Sequence, residues 1–173
     1  MSKIAYDLLK IKAIVFDVDG VLSPATIPVG DDGIPRRMAN LKDGYSMVQA
    51  LKHGLKIAVI TGAVSPGVEE RLSKIGVTDF YAGKMDKLPV LKQWLEKEGL
   101  RPDEVAYVGD DVPDLAPMGY VGLPVTPRDG CSDTKAIAKY TTDAIGGHGV
   151  ARELIEEIMR AQGIWPASAE AFG

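Results

Sequence analysis

The chain has 173 residues, 46% of them hydrophobic and 25% charged, with a formal net charge of −4, a size and balance expected of one globular domain spanning 1–173 with its own buried core. The acidic excess speaks against a nucleic-acid partner, whose phosphates call for a basic surface, and the single cysteine, Cys131, excludes an intrachain disulfide or a multi-cysteine metal site and fits a cytoplasmic location. No apolar run reaches the roughly 18 residues of a membrane helix, so no membrane is expected.

Charges at Lys3, Asp7, Lys10 and Lys12 leave no signal-peptide core in the first residues. The first strand is predicted at Ala13–Phe16, an apolar run that ends in Asp17-Val18-Asp19-Gly20. Two carboxylates so close raise each other's pKa unless a cation lies between them. Thr26–Val29, a Gly30-Asp31-Asp32-Gly33 turn and Ile34–Met38 read as a hairpin insertion over about 24–40, with Pro28 and Pro35 confined to edge positions. A helix over Gly44–His53 leads into a strand at Lys56–Ile60, followed by Thr61-Gly62. Ser65 as N-cap and Pro66 in the first turn open a helix that runs to Ile75. After a strand at Asp79–Tyr81, Asp86 precedes a helix over Lys87–Lys97, in which Leu88, Leu91, Trp94 and Leu95 recur at helical spacing. Strand Val105–Val108 runs into Gly109-Asp110-Asp111 and a helix over Val112–Met118. Strand Gly122–Val125, helix Ser132–Ala138, strand Tyr140–Thr142 and helix Val150–Ala161 complete the series. The last helix places Val150, Leu154 and Ile158 on one face and the pair Glu156 and Arg160 opposite. The tail, about 162–173, is expected to be mobile in isolation, with Trp165 and Phe172 as its docking residues.

Strands alternating with helices predict an α/β fold: a doubly wound, mainly parallel, Rossmann-like sheet with a small hairpin insertion and no cap domain. Such sheets bind ligands beyond the carboxyl ends of their strands. Asp17 and Asp19, Thr61 and Gly62, and Asp110 and Asp111 with Asp114 behind them all follow strand ends. The helix start at Lys87 can present its ammonium and its positive end to the same crevice. Converging carboxylates suit Mg2+, a hard cation that engages phosphate. A lysine and a hydroxyl suit phosphoryl oxygens, and a carboxylate beside the nucleophile suits proton transfer.

Each feature also has a plainer reading. The Asp17/Asp19 pair can be a solvated strand-end turn, and Asp111 and Asp114 can cap a short helix. A lysine at a helix start is most often exposed, and Lys84 is a nearby rival for Lys87. Thr61-Gly62 alone is an ordinary turn. Arg36, Arg37 and Lys42 are candidates for a substrate carboxylate, although exposed hairpin charges are the commoner case. The Gly146–Gly149 run can be a flexible link, and Arg152 either reaches an anionic substrate in a neighbouring site or pairs with Glu156. His53 and His148 read as incidental and Cys131 as a small buried hydrophobe.

Taken in order, Asp17-x-Asp19-Gly20-Val21, Thr61-Gly62, Asp86-Lys87 and Gly109-Asp110-Asp111-x-x-Asp114 resemble the four motifs of haloacid dehalogenase-like phosphohydrolases across nearly the whole chain. The resemblance implies that Asp17 is the nucleophile that forms an aspartyl-phosphate. It implies that Asp19 is the general acid/base, with its backbone carbonyl on Mg2+. Thr61 with Gly62 would bind the phosphoryl group, Lys87 would neutralise it, and Asp110 would complete the metal set with Asp17 and Asp19. Asp111 and Asp114 would be supporting groups.

The hairpin, Lys42-Asp43-Gly44-Tyr45 and Gly146-Gly147-His148-Gly149-Val150-Ala151-Arg152-Glu153 are similar to the 3-deoxy-D-manno-octulosonate 8-phosphate phosphatases. That group implies a sugar-acid phosphate substrate, a role in lipopolysaccharide precursor synthesis and a capless homotetramer. In it, hairpins assemble and a neighbour's C-terminal segment helps close the site. Two departures lie at the expected substrate mouth: Ala63 where an arginine or other polar residue is usual, and Ser23-Pro24 in place of Thr-Asp-Gly. A nine-carbon sialic-acid-type phosphate is therefore a second substrate reading. A receiver-like or catalytically silent assembly module is the non-enzyme reading; receivers lack the second acid, Asp19, and a silent homologue should have lost one of the key residues.

Overall fold

The apolar runs Ala13–Phe16 (β1) and Val105–Val108 (β4) lie side by side at the centre of a six-stranded sheet, every residue of both buried. A strand covered on both faces needs an unbroken apolar run, which both segments have. The computed structural model describes residues 2–168. Around the central pair stand Lys56–Ile60 (β2), Asp79–Tyr81 (β3), Leu123–Thr126 (β5) and Tyr140–Thr141 (β6), in the order β3-β2-β1-β4-β5-β6. All five pairings are parallel, with Phe16 opposite Val59 on one side and Val108 on the other.

Side chains alternate between two cores, as the two-residue period of a strand requires. Ile14, Phe16, Ile57, Val59, Ala106 and Val108 face one cluster, which is completed by helices Leu41–Lys52 (α1), Pro66–Lys74 (α2) and Val150–Ala161 (α6). Ala13, Val15, Ala58, Ile60, Val105 and Tyr107 face the other, under Lys87–Glu98 (α3) and Leu115–Tyr120 (α4). Helix Ser132–Ile137 (α5) lies beside α4. The apolar stripe of α6 is wider than Val150, Leu154 and Ile158, and includes Ala151, Ile155 and Met159.

Several boundaries differ from expectation for local reasons. Helix α1 begins at Leu41, three residues before Gly44, because the Asn40 side chain accepts from the backbone N–H of Lys42 and Asp43 at 2.9 and 3.0 Å. The segment expected as one helix over Val112–Met118 is a 3-10 turn, Val112–Asp114, followed by α4. The hairpin has a single antiparallel bridge, Val29 to Pro35, closed by Gly30 N–H to Ile34 and Arg36 N–H to Pro28. Pro28 and Pro35 supply no donors, so the ladder does not extend.

The chain after α6 is docked as far as Trp165. The Gln162 amide donates to the carbonyls of Leu8 and Ile11, and the Trp165 ring meets Tyr45 edge-on at 6.3 Å. Phe172 lies outside the described residues. Cys131 is half-buried at the start of α5, not a core residue. Among the described residues, no helix is long and apolar enough to cross a membrane.

Candidate active site

The sheet order reverses direction of build at β1 and β4, and the crevice outside their carboxyl ends is where such a sheet offers a site. A cavity of about 360 Å³ lies there, lined by Asp17, Asp19, Thr61, Gly62, Ala63, Lys87, Asp110, Asp111 and Asp114. Gly20, Ala25, Met85 and Pro113 complete its wall. Arg36, Lys42 and Arg152 are not among its lining residues.

Asp17 follows β1 and is nearly buried. Its Oδ1 accepts from the Val18 N–H at 2.7 Å and lies 3.1 Å from Lys87 Nζ, and neither contact engages Oδ2. Lys87 opens α3 with its side chain only 3% exposed, whereas Lys84 is exposed. Its Nζ also meets Asp114 Oδ1 at 2.7 Å. Asp114 is buried and fully engaged: the Tyr107 hydroxyl donates to Oδ1 at 2.8 Å, and the N–H groups of Asp110 and Asp111 donate to Oδ2 at 3.0 and 3.4 Å. Asp111 is exposed and caps the 3-10 turn through Val112 N–H.

Burial dominates the acid–base behaviour of these groups. Burial, with the Asp114 charge added, pushes Asp17 up to about 8 against the opposing pull of Lys87. Burial, followed by Asp114 and Asp111, pushes Asp110 up to about 7. For Lys87, burial works against the charged form, yet the Asp17 and Asp114 carboxylates outweigh it and raise the ammonium above its ordinary value. One oxygen each of Asp17, Asp110 and Asp114 lies within 4.8 Å of the others, a spacing that suits a divalent cation. Because Asp114 is already spent on Lys87, Tyr107 and two backbone donors, Asp17 and Asp110 are the carboxylates free to hold one.

Thr61 follows β2 and is buried, with its Oγ1 accepting from Ala63 N–H at 3.2 Å. Its hydroxyl hydrogen remains available to a ligand oxygen. Gly20 has a φ of +79°, and a Cβ there would lie 1.8 Å from Asp110 Oδ2. Glycine is therefore what lets the loop after β1 approach the loop after β4. A Cβ on Gly146 would lie 2.0 Å from the Gly20 carbonyl oxygen, and Gly147 N–H donates to Val21 O at 2.8 Å. The Gly146–Gly149 segment thus braces the Asp17–Gly20 loop, and does not act as a loose link.

Asp19 is half-exposed, and Arg37 grips it with two prongs: Nε to Oδ1 at 2.8 Å and Nη2 to Oδ2 at 2.9 Å. Arg36 turns away to Asp32 at 2.7 Å. Arg152 pairs with Glu156 at 2.8 Å and lies 4.7 Å from the centre of the Trp165 ring. Lys42 is exposed beside Arg152. Sequence reasoning offers Arg37 as a contact for a substrate carboxylate or as an exposed hairpin charge, not as a partner of Asp19, and passes over Tyr107, Met85, Ala25 and Pro113. Tyr107 carried one usable signal, since a phenol in a buried strand must find a partner for its hydroxyl.

Three comparisons bear on this geometry. Residues 48–154 match the family model of haloacid dehalogenase-like hydrolases. The 3-deoxy-D-manno-octulosonate 8-phosphate phosphatase KdsC of Escherichia coli (strain K12) is 39% identical over 153 residues, covering 88% of this chain and 81% of the relative. The crystal structure of the 3-deoxy-D-manno-octulosonate 8-phosphate phosphatase from Moraxella catarrhalis, in complex with magnesium ion, phosphate ion and KDO, superposes with a TM-score of 0.86 at 33% identity, covering 91% of this chain and 90% of that one. The cobalt-bound deoxy-D-mannose-octulosonate 8-phosphate phosphatase of Haemophilus influenzae superposes with a TM-score of 0.90 at 27% identity, covering 96% and 98%. With its motifs assembled at one crevice and its relatives matching over most of their length, the chain belongs to the haloacid dehalogenase-like hydrolases, within the group of 3-deoxy-D-manno-octulosonate 8-phosphate phosphatases.

Proposed function

We propose that the protein is a Mg2+-dependent phosphomonoesterase that hydrolyses 3-deoxy-D-manno-octulosonate 8-phosphate. The observation that carries this reading is the buried Asp17–Lys87–Asp114 array, set beside Asp110 and Thr61 at one crevice. The Asp17 and Asp110 carboxylates and the Asp19 backbone carbonyl would hold Mg2+. When bound, the ion neutralises charge between the anionic nucleophile and the anionic phosphate.

An Asp17 oxygen attacks phosphorus while the bond to the sugar oxygen breaks, and Asp19 gives that oxygen its proton. Asp19 then takes a proton from the water that attacks phosphorus, which frees Asp17 and releases inorganic phosphate. Lys87 and the Thr61 hydroxyl hold the phosphoryl oxygens where negative charge spreads. Asp114, fixed by Tyr107 and two backbone donors, holds Lys87 in place. All the residues a silent homologue would have lost are present.

Asp17→Asn should abolish phosphate release from this substrate in the presence of Mg2+, and near-normal turnover by the variant would sink the assignment. Ala63 on the cavity wall leaves room for a larger sugar, so a nine-carbon keto-deoxy sugar-acid phosphate is the second reading. A comparison of kcat/KM for eight- and nine-carbon substrates decides between them. A cytoplasmic, homotetrameric enzyme of lipopolysaccharide precursor synthesis is the context this reading implies. Arg36, Lys42 and Arg152, outside the cavity of their own chain, would then act only across a subunit boundary.

A further inference from the structure

Taking Asp19 as the proton carrier of the reading above, we propose that Arg37 is a latch on that residue. It makes hydrolysis depend on a second anionic group in the substrate. Both Asp19 oxygens are occupied by one guanidinium, at 2.8 and 2.9 Å. The Arg37 side chain is only 10% exposed, while that of Asp19 is 43% exposed and faces the catalytic mouth. The guanidinium is therefore the fixed partner of the pair and the carboxylate the accessible one. The limb that carries Arg37 is itself anchored: Met38 N–H donates to Ser23 Oγ at 3.0 Å, and Ser23 is buried directly behind the catalytic loop.

A proton carrier needs an oxygen free to reach the ester oxygen, and here neither is free. One must leave Arg37 before the sugar oxygen can be protonated. The group that competes best for a two-pronged guanidinium is another planar anion, and a sugar-acid carboxylate is of that class. Arg37 also lines a second cavity, of about 400 Å³, whose wall carries Arg36 and Arg71 as well. The Asp19–Arg37 pair thus stands between the catalytic mouth and this second space, which Asp43 and a largely apolar wall also line. A phosphomonoester without a carboxylate leaves the latch closed. In a site with no cap domain, this contact supplies selectivity that a cap would otherwise provide.

The test compares kcat/KM for p-nitrophenyl phosphate, β-glycerol phosphate and 3-deoxy-D-manno-octulosonate 8-phosphate in wild type, Arg37→Gln and Arg37→Lys. The aryl ester needs no proton on its leaving oxygen, so it reports attack by Asp17 without the help of Asp19. Opening the latch should raise the β-glycerol-to-aryl ratio about tenfold in Arg37→Gln, a fraction of what proton transfer can contribute. The preference for the sugar acid over β-glycerol phosphate should fall by a similar factor. Arg37→Lys, which keeps the charge but loses the two-pronged grip, should lie between. A uniform fall for all three substrates, in a variant that unfolds at the wild-type temperature, would reduce Arg37 to a structural prop and overturn the proposal. Unchanged ratios would overturn it too. Should Arg37→Gln fail to fold, the same ratios in Arg37→Lys decide. Wild type that hydrolyses the aryl ester but keeps its ratios in the variants sinks the latch alone, whereas wild type that hydrolyses none of the three sinks the phosphatase reading with it.

Discussion

Asp17 and Asp110 both bind protons more tightly than an ordinary carboxylate, up to about 8 and about 7, because burial and the neighbouring Asp114 disfavour their charged forms. The folded chain without metal holds protons that the unfolded chain releases near pH 4, so its stability falls as pH rises through about 7 and about 8. A cation between the two carboxylates favours the ionised forms and reverses the trend. Thermal unfolding with and without Mg2+ should show a larger Mg2+-induced rise in Tm at pH 8 than at pH 6, and an equal increment at both would contradict the assigned ligands. These residues were legible from sequence because each follows a short apolar run, which marks it as lying at the ligand edge of a parallel sheet. Arg37 was not legible, because a hairpin arginine looks solvated until the fold seats it on Asp19. Met85, from the loop before α3, reaches the mouth by a route that no local pattern encodes.

Helices α1 and α6 are joined through Asp43, whose Oδ1 accepts from the Arg152 N–H in the first turn of α6 at 2.8 Å. Its Oδ2 is buried without a partner, and burial pushes the carboxyl up to about 6 against the pull of that N–H and of the Arg152 charge. A raised acid stabilises the fold while protonated, and that contribution is lost as pH rises from about 4 through about 6. The loss is on the order of 2–3 kcal/mol, at about 1.4 kcal/mol per pH unit. Asp43→Asn cannot ionise, so its Tm should vary less than that of wild type between pH 4 and pH 7; parallel pH profiles would refute this. The same junction shows what was hard to read from sequence. Lys-Asp-Gly-Tyr looks like a helix start at Gly44, but the Asn40 cap moves the start upstream and places Asp43 inside the helix, facing α6. Strands β1 and β4 were legible to the residue because full burial on both faces demands continuous apolar runs. The hairpin was legible from its Gly/Asp turn, and its two prolines, which cannot donate, hold it to a single bridge.

The segment from the hairpin into α1 carries apolar side chains that its own fold leaves uncovered: Val29, Ile34, Met38 and Leu41 are between 52% and 76% exposed. Apolar residues clustered in one segment favour burial against a second copy. If the homotetramer proposed above buries these residues, light scattering should give a mass four times that of the chain, and Ile34→Asp with Met38→Asp should shift it to a smaller species with weaker activity. A wild-type monomer with full activity would contradict the assembly. A doubly wound parallel sheet was legible from the alternation of strands and helices, but its order β3-β2-β1-β4-β5-β6 was not, nor was the brace from Gly146 onto Gly20, which joins segments 126 positions apart. That brace bears on biosynthesis. Every side chain assigned to chemistry has been translated by Asp114, yet the segment that presses the Asp17–Gly20 loop into shape begins 32 residues later, at Gly146. A nascent chain on the ribosome, folding from its N-terminus, would hold all its reactive groups while still lacking the support that aligns them. Competence would arrive only once the Gly146–Gly147 segment had been made and seated, which spares cellular phosphate esters from a half-made hydrolase.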